Sequence, residues 1–97
     1  MATQTALSLM KQGLLIGTNG YDSYLEHLLD AAKAYLIREG ASSLDETETG
    51  DLQLIVGYAD YLYRQRSDAS YQMPRWLRWN INNRIFSEKM TEEEDGE

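Results

Sequence analysis

The sequence predicts an all-α fold: a small bundle of three main helices with a short N-terminal helix and an extended acidic C-terminal tail. Three observations predict it. Apolar residues recur at helical spacing in three long stretches. No stretch alternates apolar and polar residues as a half-buried strand does. Glycine or proline stands where helices are expected to end or begin. A chain of 97 residues that is 42% apolar holds one core, assigned to residues 1–90, with 91–97 as the acidic tail.

The first helix is expected over residues 3–12, closing at Gly13, and Leu14, Leu15 and Ile16 then form an apolar linker into a Gly17-Thr18-Asn19-Gly20 turn. The second is expected over 21–39, with Asn19 as N-cap and Gly40 as C-cap glycine. Tyr21, Tyr24, Leu25, Leu28, Ala32, Tyr35 and Leu36 fall on one of its faces, and Glu26, Asp30 and Lys33 on the other. Residues 41–50 read as a polar loop. A capping box at Ser43–Glu46 and the rival caps Thr47 and Thr49 leave the next start open.

The third helix, about 51–67, carries two apolar stripes. Leu52, Ile55, Val56, Ala59, Leu62 and Tyr63 form one; Leu54, Tyr58 and Tyr61 form a second, well round the cylinder. The fourth, about 74–89 with Pro74 at its first position, repeats the pattern. Met73, Leu77, Ile81 and Ile85 share one face, and Trp76, Trp79, Asn83 and Phe86 lie roughly opposite. A helix apolar on most of its surface is covered on most of its surface. In so small a chain the second stripes point to an intermolecular face, and because they differ from one another the contacts would be heterologous, closing into rings or running on as filaments.

Cysteine is absent and there is one histidine, so neither disulfides nor a structural zinc site supports the small core; oligomerisation is the support that remains. No signal peptide or membrane-length apolar run is visible, and a soluble protein is expected. The net charge of −7 argues against general nucleic-acid binding. It hides an asymmetry: residues 62–90 hold six bases and two acids, and residues 91–97 hold five acids and no base.

His27 falls beside Glu26 and Asp30, away from the apolar stripe, with no nucleophile or orienting partner in sight, and is read as a solvated surface group. Asp22, Glu26 and Asp30 recur every four residues but sit near Lys33 on an exposed face, and are read as solvated too. Residues 45–56 superficially resemble a calcium loop, yet the twelfth position is Val56 where a bidentate glutamate belongs. No catalytic, cofactor-binding or metal residue is assigned. Arg75, Arg78 and Arg84 interleaved with Trp76 and Trp79 fit a helix that grips nucleic acid, but arginine and tryptophan are also enriched at protein interfaces.

The runs LMKQGLLIGTNGYDSYLEHLLDAAKAYLIREG (9–40), VGYADYLYRQR (56–66) and MPRWLRWNINNRI (73–85) together resemble the small head-tail connector, or adaptor, proteins of long-tailed phages. The resemblance spans about residues 7–88 and rests on the order and spacing of helices; the two tryptophans of the last helix depart from the family pattern. It implies a non-enzymatic virion protein, made in the host cytoplasm, that forms a ring of copies beneath a dodecameric portal protein. Such a ring extends the DNA channel, lets genomic DNA pass without specific binding, and offers a platform to a stopper or tail-completion protein. It implies no cofactor and no membrane. Leu54, Tyr58 and Tyr61 against Trp76, Trp79 and Phe86 become the expected subunit seam. Arg84, Glu88, Lys89, Glu92, Glu93 and Glu94 become the expected portal contacts. The rival expectation is a small nucleic-acid-binding or regulatory module acting through the last helix.

Overall fold

The computed structural model describes residues 2–14, 17 and 20–95, of which 2–4 and 91–95 only as helical backbone. Among them the chain is all-helical, with four helices and no strand: α1 (Ala2–Leu14), α2 (Asp22–Glu39), α3 (Thr49–Ser67) and α4 (Arg75–Asp95). The linker residues Leu15 and Ile16 and the turn residues Thr18 and Asn19, including the expected cap, lie outside the described residues.

α2 and α3 form the most extensive pair, α1 packs on both, and α4 rests chiefly on α3. The core they enclose runs from Ala6 and Met10 of α1 through Leu25, Leu29, Ala32 and Leu36 of α2 to Leu54, Ile55 and Ala59 of α3, with Leu77 and Ile81 of α4 at its edge. α1 is therefore a full member of the bundle: the i, i+4 pair Ala6 and Met10 is buried. The molecule is elongated, 50 × 33 × 18 Å.

The end of α2 shows how local sequence positions the later elements. Gly40 adopts φ 137°, which residues with a Cβ rarely reach. Its N–H donates to Ile37 O at 3.2 Å, and the N–H of Ala41 donates to Leu36 O at 3.0 Å. This is the Schellman pairing, completed by burial of Ala41 with Leu36. A Cβ on Gly40 would lie 2.9 Å from Ile85 Cγ2, so the same glycine admits α4.

Five boundaries differ from expectation, the first two being that α1 runs through Gly13, its expected close, to Leu14, and that the residue capping α2 is Tyr21 and not Asn19. α3 begins at Thr49 after Glu48, whose carbonyl takes the N–H of Leu52 at 2.8 Å, so none of Ser43, Thr47 or Thr49 is the cap. Pro74 sits one residue outside α4, its carbonyl accepting from Leu77 at 3.1 Å and Arg78 at 3.2 Å. α4 runs on through Asp95, so residues 91–95, expected in an extended tail, have helical backbone. Lengthening an existing helix needs no new nucleus, and glutamate is a good helix former.

A candidate interaction surface on the last helix

α4 is two-faced. Leu77 and Ile81 are buried against the body, and Ile85 packs beside them. On the opposite side Trp79 is 65% exposed and Phe86 63%, with Trp76 at 53% on the flank and Met90 at 48% toward the helix end. The side chains expected to lie opposite Leu77 and Ile81 do so. At 150–250 Å² for a whole aromatic side chain, the three rings leave roughly 350 Å² uncovered. That is the size of the largest apolar patch on a typical monomer, which is often functional. Arg75 and Arg78 flank it, exposed, and neither has a salt bridge among the described residues.

The second stripe of α3 has another fate. Leu54 is buried in the chain's own core. Tyr58 stacks on Tyr35 of α2, ring centroids 4.3 Å apart and planes 4° from parallel. Tyr61 tilts against Tyr58 at 5.7 Å and Tyr71 at 6.0 Å. Cover that was expected from another chain therefore comes from within: α2 supplies one ring and the α3–α4 connector another. Burial raises the pKa of the Tyr58 hydroxyl above its ordinary value, with the neighbouring Tyr35 and Tyr61 adding to the effect.

What holds α4 in place is a polar network that spacing did not reveal. Arg84 Nε donates to Asp51 Oδ1 at 2.8 Å. Its guanidinium also reaches Glu88 at 3.6 Å and Ser43 Oγ at 3.3 Å. The Glu88 carboxylate accepts from both the backbone N–H and the hydroxyl of Ser43. These bonds hold its pKa below the usual value, with Arg84 adding a smaller push in the same direction. Asp51 Oδ2 accepts from the Asp45 N–H at 2.9 Å, tying in the loop before α3. Asp51 and Glu88 are both buried, as charged groups are when paired and hydrogen-bonded. Arg84 and Glu88, expected to face a partner, are thus engaged inside the chain. Lys89 is exposed. The side chains of Glu92, Glu93 and Glu94 lie outside the described residues. The legible signal for the network was Glu88 itself, an acid in helical register with Leu77 and Ile81.

Beside α4 an open groove of about 460 Å³ runs over α3, between α1 and Trp76. Leu9, Met10 and Gly13 form one wall, Val56 and Gly57 the floor, and Gln53 and Asp60 the polar ends. Gly57 matters here, because a Cβ would stand 3.0 Å from Trp76 Cη2 and 3.0 Å from Leu77 Cδ1. Sequence reading named Trp76 as part of a seam and Val56 as part of an apolar stripe but did not join them in a groove; Leu9, off the Ala6–Met10 face of α1, was the available sign.

Among the described residues the candidate polar groups of α2 are either exposed singly or engaged in ion pairs. His27 and Glu26 are exposed on α2. Asp22 pairs with Lys11 at 2.9 Å and Asp30 with Lys33 at 3.6 Å, while Lys33 also bridges to Glu46 at 2.9 Å. Among the described residues no group of three His, Cys, Asp or Glu is placed to hold a metal ion, and no helix is long and apolar enough to cross a membrane. No family model, curated protein or solved structure matches this chain. The reading of its role therefore rests on the chain's own surface.

Proposed function

We propose that this chain is a structural head-tail adaptor: one subunit of a ring beneath a phage portal, extending the DNA channel and presenting a platform to the stopper or tail. The observation that carries the reading is the exposed aromatic stripe Trp76, Trp79 and Phe86, displayed on a helix fixed by a buried ion network. Large apolar side chains presented to water on an ordered helix are what an assembly interface needs, since their burial is favourable and the backbone that carries them is already in place. Burying the stripe contributes on the order of 9 kcal/mol. Association costs about 4–15 kcal/mol, so the stripe alone gives weak contacts that a preformed platform must reinforce.

In this reading α2, α3 and α4 form the ring's main body with α1 as the shorter helix, and Lys89 with the acidic residues 91–97 reaches toward the portal. Leu54, Arg84 and Glu88 act from inside the subunit. The net charge of −7 suits a conduit that lets DNA slide. The virion, at the head-tail junction, is the location that follows.

A second reading has its own observation: Arg75 and Arg78, which have no salt bridge among the described residues, stand beside two exposed tryptophans, a combination suited to phosphates and stacked bases. Co-sedimentation with a purified portal, in the presence of a DNA fragment, decides between them. Stoichiometric retention on the portal without DNA is the expected result. Salt-sensitive retention on DNA alone overturns the adaptor reading in favour of the second.

A further inference from the structure

We propose that the hollow beside the α3–α4 connector is a binding site for a nucleoside monophosphate, with the base against Tyr61 and Tyr71 and the phosphate on Arg78. The proposal goes beyond the adaptor reading and does not depend on it, since the whole site lies on one chain.

The hollow measures about 510 Å³, within the size range of small-molecule sites, and is lined by α3, the connector and α4. Its aromatic wall is braced from behind. Tyr61 and Tyr71 lie 6.0 Å apart with their planes at 36°, and Tyr61 leans in turn on Tyr58 at 5.7 Å. Tyr58 stacks on Tyr35 of α2, so a row of four rings runs from the body of the bundle to the hollow. Tyr71 is set by the connector's own turn. Its N–H donates to Asp68 O at 2.9 Å, and the Asp68 carboxylate accepts from the N–H and the hydroxyl of Ser70. A flat ring entering the hollow therefore meets aromatic surface already in place, and every base has a face that can stack on it.

The polar part of the lining consists of amides and hydroxyls, with no carboxylate among them. Gln65 Nε2 donates to the Tyr61 hydroxyl oxygen at 2.9 Å, which holds that amide at the aromatic wall. Gln72 stands exposed at the rim. A carboxamide carries a donor and an acceptor side by side, the pair that matches the N6 and N7 edge of adenine. Half-buried Met73 supplies a thioether, a favourable neighbour for a ring.

Arg78 is the charged member of this lining, and it has no salt bridge among the described residues. The guanidiniums at two other hollows are taken, Arg64 by Asp60 at 2.9 Å and Arg84 by Asp51 at 2.8 Å. Asp68, the acid of the connector, lines the adjoining hollow and is held by Ser70. The guanidinium fork matches the oxygens of a phosphate. Screening over about 8 Å at physiological ionic strength lets this local cation outweigh the distant acids of a chain with net charge −7.

The probe is deoxyadenosine 5′-monophosphate, titrated into the whole chain to about 10 mM, tenfold above a Kd of about 1 mM, while backbone and side-chain amide resonances are followed by NMR. Shifts are expected at residues 69–73 and at the Gln65 side-chain amide. Deoxyadenosine, which lacks the phosphate, should bind about tenfold more weakly. Arg78→Ala should weaken the nucleotide by about the same factor and leave the nucleoside unchanged. Tyr71→Ala should weaken both, and Tyr71→Phe, which keeps the ring, should restore both. Arg75→Ala and Trp79→Ser, which lie outside the hollow, should change neither, and this separates the site from a grip on nucleic acid by the exposed stripe. Three results overturn the proposal in variants that circular dichroism shows to be folded: no shift at these resonances, equal binding of nucleotide and nucleoside, or equal losses in Arg75→Ala and Arg78→Ala. A single-stranded oligodeoxyadenylate with a 5′-phosphate then distinguishes the sources of the ligand. Affinity equal to that of the mononucleotide marks a free nucleotide; affinity at least about tenfold tighter, and lost in Arg78→Ala, marks the end of a strand.

Discussion

Replacing Gly57 by alanine sets two effects of known size against each other. In a helix interior alanine is favoured over glycine by about 0.8–1.0 kcal/mol, so α3 by itself gains. The new methyl would stand 3.0 Å from Leu77 Cδ1 and 3.0 Å from Trp76 Cη2, closer than carbon atoms pack. Trp76 is 53% exposed and can swing outward at small cost. Leu77 is fully buried at the α3–α4 contact, so relief there requires α4 to shift, and overpacking of this kind costs about 1–3 kcal/mol. The expected net effect is a loss of about 1 kcal/mol, a fall in Tm of roughly 4–8 °C for a domain of this size. Gly50→Ala is the control: it lies in the same helix and a Cβ there meets nothing within 4 Å, so its Tm should hold or rise. Thermal unfolding followed by circular dichroism at 222 nm reads both. If Gly57→Ala stabilises as much as Gly50→Ala, α4 does not pack against α3 as described.

Tyr58→Asp removes the stacked partner of Tyr35 and puts a carboxylate in a half-buried site; a loss of about 2–3 kcal/mol in urea unfolding of the isolated chain is expected. An unchanged midpoint would return Tyr58 to the surface. The Glu88 pKa is depressed on folding, so its carboxylate stabilises above the ordinary glutamate range and that contribution is lost as pH falls through the folded pKa. Asp45 and Asp68, held low by bonds from Thr47 and Ser70, act with the same sign. Tm should therefore decline on acidification below about pH 4.5, and less steeply in Glu88→Gln; identical acid slopes would mean the network does not form in solution. Deleting residues 91–97 should leave the unfolding free energy of the body within about 0.5 kcal/mol of wild type while weakening portal retention, and unchanged retention would remove that segment from the portal contact.

The helices were legible in the sequence where the signal is local. Gly40 ended α2 because only a residue tolerant of positive φ closes a Schellman turn there. The two faces of α4 followed from spacing alone, and the exposed Trp79 and Phe86 lie where that spacing put them. What escaped was carried by contacts between distant residues. Arg84 meets Asp51 across 33 positions and Glu88 meets Ser43 across 45, and no periodicity links them. The Tyr35–Tyr58 stack escaped for the same reason, and with it the internal cover of the second α3 stripe. The start of α3 stayed ambiguous because several hydroxyl residues precede it, and the backbone begins the helix after Glu48 without a side-chain cap.

Because α4 shares its contacts chiefly with α3, lifting it away exposes Leu77, Ile81 and their neighbours and breaks the Arg84–Asp51 and Glu88–Ser43 contacts, while α1, α2 and α3 still pack on one another. Such a segment opens as its own cooperative unit, at a fraction of the free energy needed to unfold the whole chain. A partner that grips the outer face binds only the seated helix, and mass action then holds that helix down in proportion to the partner's concentration. Assembly would therefore be recorded by amide hydrogens on the hidden side of α4, at Leu77 and Ile81, which no partner touches: their exchange with solvent slows when Trp79 and Phe86 are covered.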